Sequence, residues 1–415
     1  MLILKDLAIK TKRASIDLAL KSEFEKNTAL LLMAQAIDDH MDEILEANKR
    51  DVFQAEENGM TEELLDRLRL DTGRIQSMAN GLRELVEITD PIGKIVDTFR
   101  NDDGLLITKV TVPLGLIAMI YESRPNVTVD ACGLALKSGN AIILRGSSSA
   151  LESNKVIVKV LKNALKTTNI SQDYIGFICS KDRDVVDELL SYTGIIDVAI
   201  PRGGAGLISH VLKVSKIPVI ETGVGNCHIY VDDSADMSSA INILLNAKVQ
   251  RPSVCNAVET LLVHKNVAKV FLPIALKKLE NKNVTIYGCE KTSEIYPNIK
   301  SATEKDYSTE YLSLAIAVKV VDSINQAINH IKKYSTNHSE AIITNSLSNA
   351  TLFTKSIDSS CVYVNASTRF SDGQKFGLGA EIGISTQKLH SRGPMGLDSL
   401  TSYKYVIWGE GQIRK

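Results

Sequence analysis

The sequence predicts an α/β protein with two parallel-sheet domains and a protruding β-hairpin. Three observations carry this. From Pro113 onward strand-like and helix-like segments alternate, and such alternation builds a mostly parallel sheet covered on both faces. A second alternating series starts near His228. Before the first series, two extended runs flank Asn101-Asp102-Asp103-Gly104, and Asp-Gly in that setting signals a hairpin.

The elements follow in order. Residues 11–90 read as helix: Met33, Ile37, Met41 and Leu45 fall four apart on one helical face, followed by Leu64, Leu65, Leu68 and then Met78, Leu82, Leu85. Asp90-Pro91 closes that region. The ribbon strands are 94–100 and 105–112. The first series predicts strands at 116–121, 141–144, 174–179, 197–200 and 218–220, with helices at 127–137, 150–167, 182–190 and 204–214. The second predicts strands at 228–231, 259–263, 284–287, 314–321, 341–344 and 361–365, with helices at 237–249, 267–281 and 324–334. Residues 402–408 form a last strand. Sheets of this kind bind ligands outside the carboxyl ends of their strands.

Composition narrows the function. The chain has 415 residues, 44% hydrophobic and 23% charged, with a formal net charge of −1. That leaves no global field to draw it to nucleic acid or an anionic membrane. Its six cysteines are scattered, without CxxC pairs or metal-ligand spacing, which argues against a disulfide framework and a metal site. The apolar start is too short for a signal peptide, and no run reaches membrane-spanning length. A cytoplasmic protein is expected.

Four stretches carry candidate chemistry. Cys255 sits in QRPSVCNAVETLLV, a polar, proline-broken loop before a strand, where a thiol can serve as nucleophile; the competing reading is a buried structural cysteine. The other cysteines have weaker cases: Cys132, Cys179 and Cys361 fall on apolar elements, Cys227 and Cys289 at strand edges. Glu221 enters the glycine-rich turn Thr222-Gly223-Val224-Gly225, as a base, a ligand contact or an ordinary turn residue. Gly203 and Gly204 follow a strand and precede a helix, where backbone amides can hold phosphate. Arg145, Ser147 and Ser148 follow another strand and suit a ribose or phosphate, or a helix cap.

In chain order these pieces resemble the aldehyde dehydrogenase superfamily, with Glu221 preceding Cys255 by 34 residues. The resemblance implies that Glu310, in Thr309-Glu310-Tyr311-Leu312, contacts the nicotinamide ribose. Within the superfamily the chain resembles the gamma-glutamyl phosphate reductase (glutamate-5-semialdehyde dehydrogenase) family over nearly its whole length. The marks are LEANKRDV, LLDRLRLD, MIYESRPNVTVDACGLALKSGNAIILRG, GNCHIYVD, NAKVQRPSVCNAVETLLVH and FGLGAEIGISTQKLHSRGPMGLDSLTSYKYV. This implies NADPH-dependent reduction of L-glutamyl 5-phosphate to L-glutamate 5-semialdehyde with release of phosphate, through a cysteine thioester, as the second step of proline biosynthesis. It also implies a cofactor domain (1–93 and 113–222), a catalytic domain (223–397) and an oligomerisation element (94–112 and 398–415) of a homo-oligomer. Glutamate 5-kinase is a candidate partner.

Two departures from the superfamily pattern bear on the site. Tyr121-Glu122-Ser123-Arg124-Pro125-Asn126 replaces a Pro-Trp-Asn motif, so Asn126 is the oxyanion-hole candidate, although ungapped counting from Pro113 brings Arg124 nearer that place. Ser147-Ser148 replaces a pair containing a carboxylate that would repel a 2′-phosphate, which favours NADP. His390 and Arg392 are candidates to hold the substrate's carboxylate or phosphate, or simply to fix their own loop. The rival readings are another aldehyde dehydrogenase, acylating or non-phosphorylating, a cysteine hydrolase without a redox cofactor, and a non-catalytic scaffold that kept the fold.

Overall fold

A computed structural model describes residues 2–414; Met1 and Lys415, the outer limits of the expected domains, lie outside the described residues. The chain forms two compact units. One takes the described residues through Thr222 together with Gly377–Gly383 and those from Met395 on; the other takes Gly223–Phe376 and Ile384–Pro394. Residues 377–383 and 395–397 thus fall in the first unit, whereas the sequence grouped them with the second. Gly379 packs on Leu85 and Ile88, and Leu397 and Leu400 join the first unit's core. The three β1–β2–β16 strands described below also belong to that unit.

The first unit opens with five helices: α1 (Leu2–Leu18), α2 (Glu23–Asp39), α3 (Met41–Glu57), α4 (Glu62–Leu68) and α5 (Thr72–Glu87). A capping box of Ser22 and Glu25 starts α2, and the Asp71 carboxylate caps α5. The expected apolar stripe through Met33 and Leu45 is divided between α2 and α3, because the chain breaks at His40. Asp38 and Asp39 put two negative charges at the end of α2, where the helix dipole opposes them, and the break follows. Buried Met33 and Ile37 pack against Met78 and Leu82 of α5 in one core.

The hairpin follows as β1 (Ile95–Arg100) and β2 (Leu106–Pro113). Then come β3 (Leu116–Tyr121), α6 (Asn126–Lys137), β4 (Ala141–Arg145), α7 (Leu151–Leu165), β5 (Ile175–Phe177), α8 (Asp184–Leu189), β6 (Val198–Arg202) and α9 (Ala205–Val214). The four strands pair in parallel in the order β5-β4-β3-β6, so the order reverses beside β3. Every residue of β3 and β4 is buried, as expected of a parallel sheet covered on both sides. The predicted strand at 218–220 reduces to a single bridge between Ala199 and Val219, since Pro218 has no N–H to continue a ladder. The strand expected at 174–179 ends at Phe177, which leaves Cys179 exposed in a loop rather than on an apolar element.

The second unit holds β7 (Cys227–Val231), α10 (Met237–Val249), β8 (Val258–His264), α11 (Lys265–Glu280), β9 (Thr285–Gly288), α12 (Glu290–Ile295), β10 (Lys300–Ser301), α13 (Glu304–Tyr307), β11 (Ala315–Val321), α14 (Ile324–Tyr334), β12 (Ser339–Ile343), α15 (Leu347–Ser356), β13 (Cys361–Val364), β14 (Ile384–Ser385) and β15 (Gly393–Pro394). Seven strands form a parallel sheet, β10-β9-β11-β8-β7-β12-β13. Period-two alternation divides its side chains between two cores. Ile229, Val231, Leu261 and Val263 pack with α10 and α11, whereas Tyr230, Leu262 and Ile342 pack with α14 and Phe353 of α15.

The last strand, β16 (Thr401–Trp408), pairs antiparallel with β2 over its whole length and completes a three-stranded sheet, β1-β2-β16. All of β1 is exposed, and Tyr403, Tyr405, Ile407 and Trp408 are exposed too. Among the described residues, no helix is long and apolar enough to cross a membrane.

Candidate active site

Cys255 lies in a turn between α10 and β8, half-buried, and no disulfide holds it. Its neighbour Asn256 anchors the turn. The Asn256 amide donates to the carbonyls of Ser371 at 2.8 Å and Arg369 at 3.3 Å. Its own side-chain oxygen accepts from the Arg369 guanidinium, and its backbone carbonyl accepts from the Thr368 hydroxyl at 2.7 Å. Arg369 also donates through Nε to Gln250 at 3.2 Å, so one guanidinium spans both ends of the turn. Burial lowers the Arg369 pKa, with the charges of Asp372 and Cys255 opposing that fall. A half-buried cation coupled to a cysteine is a setting that favours a thiolate. Arg251, the cation nearest in sequence, is exposed.

The carbonyl of Cys255 is gripped from behind. The buried Cys227 thiol, inside β7, donates to it at 3.1 Å, and burial pushes that thiol far above the ordinary range, so it remains protonated. Gly225 packs on the same carbonyl. A Cβ there would overlap the carbonyl outright and lie 2.7 Å from the Cys255 Cα. The glycine-rich turn therefore serves here as a close backbone approach.

Glu310 reaches the same turn, accepting the Gly225 N–H at 2.7 Å. It is presented by a loop that passes through Leu312, whose φ of 53° is left-handed. The Leu312 amide donates to Glu259 at 3.2 Å, and Glu259 pairs with Lys248 at 2.6 Å, both side chains fully buried. Burial pushes Glu259 up to about 7, with Lys248 opposing, and pushes Lys248 down. A buried ion pair thus holds the loop that holds the turn that backs Cys255.

In the first unit, a cavity of about 550 Å³ opens at the carboxyl ends of β3 and β4, beside the reversal of strand order, and is lined by Arg145, Ser147 and Ser148. Arg145 is buried, donating to the carbonyls of Gly146 and Asp182 at 3.2 and 3.0 Å, while its Nε has no partner. Ser147 caps the short turn after β4 by accepting the Ser149 N–H. Gly203 and Gly204 enter α9 beside the same cavity, where the Glu122 carboxylate accepts the Gly204 N–H at 2.8 Å. A Cβ on Gly203 would meet that carboxylate at 2.6 Å. The buried Arg145 nitrogen without a partner, with Ser147 and Ser148 on the same cavity, is what an anionic nucleotide would use, so these residues fit a dinucleotide, whereas the Gly204 amide is taken by Glu122.

Glu221 is half-buried just beyond the Ala199–Val219 bridge. Asn126 starts α6 and donates through its amide to Asp130 at 3.0 Å. Burial pushes the Asp130 carboxyl up to about 7, against that bond. Arg392 is committed to Asp358, donating to its carboxylate at 2.7 Å and to its carbonyl, beside the Lys388–Asp358 pair. His390 is exposed at a left-handed φ of 67°. Sequence reading missed Arg369, Lys248 and Glu259. A Ser-Thr-Arg run after a strand gives no signal by itself, and a lysine on a helix such as Lys248 or a carboxylate on a strand such as Glu259 normally faces water.

The aldehyde dehydrogenase family profile matches residues 8–317. A gamma-glutamyl phosphate reductase from Thermoanaerobacter sp. (strain X514) is 56% identical over 408 residues, covering 98% of this chain and 99% of that protein. The crystal structure of a gamma-glutamyl phosphate reductase from Thermotoga maritima superposes with a TM-score of 0.95 at 51% identity, covering 99% of this chain and 100% of that one. An acetylating aldehyde dehydrogenase from Geobacillus thermoglucosidasius shares the fold at 16% identity, with a TM-score of 0.72 and coverage of 99% and 97%. The chain belongs to the aldehyde dehydrogenase family and, within it, to the gamma-glutamyl phosphate reductases.

Proposed function

We propose that this chain catalyses the NADPH-dependent reduction of L-glutamyl 5-phosphate to L-glutamate 5-semialdehyde with release of phosphate, the second step of proline biosynthesis. One observation supports this above the others: a cysteine on a turn locked by Asn256, Arg369 and Gly225, in a chain 56% identical to a protein of that name.

Cys255 is the nucleophile. Its sulfur attacks the acyl carbon, an S–C bond forms, and the C–O bond to phosphate breaks as phosphate leaves with the electron pair. Phosphate is a good leaving group, so this step needs little acid assistance. Backbone amides of the Cys255 turn are assigned to the oxyanion, because the Asn126 amide already spends one of its two N–H groups on Asp130. The rigid anchoring of Asn256 keeps those amides aimed, and Arg369 favours the ionised sulfur. Bound NADPH supplies the hydride that turns the acyl thioester into the aldehyde.

Arg145, Ser148, Gly203, Gly204 and Glu221 are assigned to the cofactor, with Glu310 presenting its carboxylate to the ribose from beside Gly225. His390 is the substrate contact in its loop, and Arg392 acts through Asp358 to fix that loop. The exposed β1–β2–β16 sheet is the surface of a homo-oligomer, glutamate 5-kinase supplies the acyl phosphate, and the enzyme works in the cytoplasm.

The reverse reaction tests the reading. Nicotinamide absorbance is followed with semialdehyde, NADP and phosphate each omitted in turn. NADPH formation that requires all three supports it. Formation without phosphate points to a hydrolytic dehydrogenase and defeats it.

A further inference from the structure

The cavity at the end of β4 carries more positive charge than the residues discussed so far supply. Lys181 and Arg183 also line it, and both are exposed. Among the described residues, neither forms an ion pair, although the carboxylates of Glu122, Asp184 and Asp187 line the same cavity; Glu122 is engaged by the Gly204 N–H at 2.8 Å. Asp187 is taken by His210 at 2.6 Å. The loop bearing Lys181 and Arg183 is tied down from inside, since the Asp182 carbonyl between them accepts from Arg145 at 3.0 Å. Burial, and after it repulsion from Arg183, lowers the Arg145 pKa. Three cations converging on one cavity, with a buried Arg145 Nε lacking any partner, make an arrangement that an anion would relieve.

The ligand chemistry follows from the position. The cavity lies where a parallel sheet of this order takes a nucleotide, and Ser147-Ser148 present no carboxylate there. Arginine and lysine at a cavity mouth suit a phosphate monoester, with arginine binding it in a fork and lysine as a point charge. We infer that Lys181 and Arg183, backed by Arg145, bind the 2′-phosphate on the adenosine ribose of the cofactor and so set the preference for NADPH over NADH. This rests on the nicotinamide reading above and adds two residues that decide between the two cofactors.

Calorimetric titration of the full chain tests it without turnover. The probes are NADPH, NADH, 2′,5′-ADP and 5′-AMP, applied to the parent protein and to a Lys181→Gln/Arg183→Gln variant. Both residues are exposed, and an unchanged melting temperature checks that the variant is folded. The parent should bind NADPH and 2′,5′-ADP more tightly than NADH and 5′-AMP. The variant should lose about tenfold or more in affinity for the two 2′-phosphorylated probes, the loss of a charged hydrogen bond, and keep its affinity for the other two. If the parent prefers NADPH and the variant keeps that preference, this assignment falls while the cofactor reading stands. If the parent binds none of the four, both fall.

Discussion

Gly225 lies against the carbonyl of Cys255 so closely that a methyl group on it would overlap that carbonyl and come within 2.7 Å of the Cys255 Cα. The obstruction is backbone, which cannot rotate aside. Gly225→Ala should therefore displace the Cys255 turn by a large fraction of an ångström. Misplacement on that scale costs about 10²-fold in rate. Steady-state kinetics should show kcat reduced by about that factor, with nucleotide affinity measured by titration much less affected. A variant with normal kcat would mean that the glycine contact does not aim the sulfur.

Arg369 serves two ends, charge and anchoring. Arg369→Met should move the pH dependence of iodoacetamide alkylation at Cys255 to higher pH, because the coupled cation is gone. It should also leave the buried Asn256 oxygen without that donor, at a cost of about 1–3 kcal/mol in urea unfolding. Arg369→Lys should restore the charge but not the two-ended grip on Asn256 and Gln250. An alkylation profile indifferent to both substitutions would remove the electrostatic role.

The Lys248–Glu259 pair predicts a non-additive result. Lys248→Met alone leaves a fully buried carboxylate unpaired, which costs about 3–5 kcal/mol. Lys248→Met with Glu259→Leu should regain most of that stability, yet still lose activity, since Glu259 no longer holds the Leu312 amide and hence the Glu310 loop. Urea midpoints of the two single variants and the double variant give the cycle. Additive losses would show that the two groups do not act as a pair.

Asp130 gives a pH signature. Burial raises its carboxyl to about 7 in the folded protein, above its ordinary value of 3.8. Between those limits the folded state holds a proton that the unfolded chain releases, so this group's contribution becomes less favourable as pH rises from about 4 to 7. Asp130→Asn should flatten that part of the stability–pH curve, making the variant gain on the parent as pH increases. Parallel curves for the two proteins would contradict the shift.

Much of this was legible along the chain. Cys255 stood out because a cysteine in a polar loop is unlike the buried Cys132 or Cys361. The strands β3 and β4 were legible because complete burial writes continuous apolar runs, and β7 and β8 because of their short apolar cores at 229–231 and 261–263. Helix α15 was not, since only Phe353 is fully buried and Leu347 is exposed, so no apolar stripe marks it. Arg369 could not be connected to Asn256 from sequence because its approach depends on how β13 and its following turn return beside the Cys255 loop. The fate of Arg392 was hidden for a similar reason: Asp358, its partner, lies in a turn with no motif of its own. Lys248 and Glu259 went unmarked because charged side chains are almost never fully buried, and their pairing is a tertiary contact between α10 and β8.

The most direct measurement is turnover by Cys255→Ala, with NADP, phosphate and glutamate semialdehyde all present and nucleotide binding verified by titration. The account predicts no NADPH formation while the nucleotide still binds. Turnover sustained by the alanine protein would contradict it, since no other described cysteine shares that anchored turn.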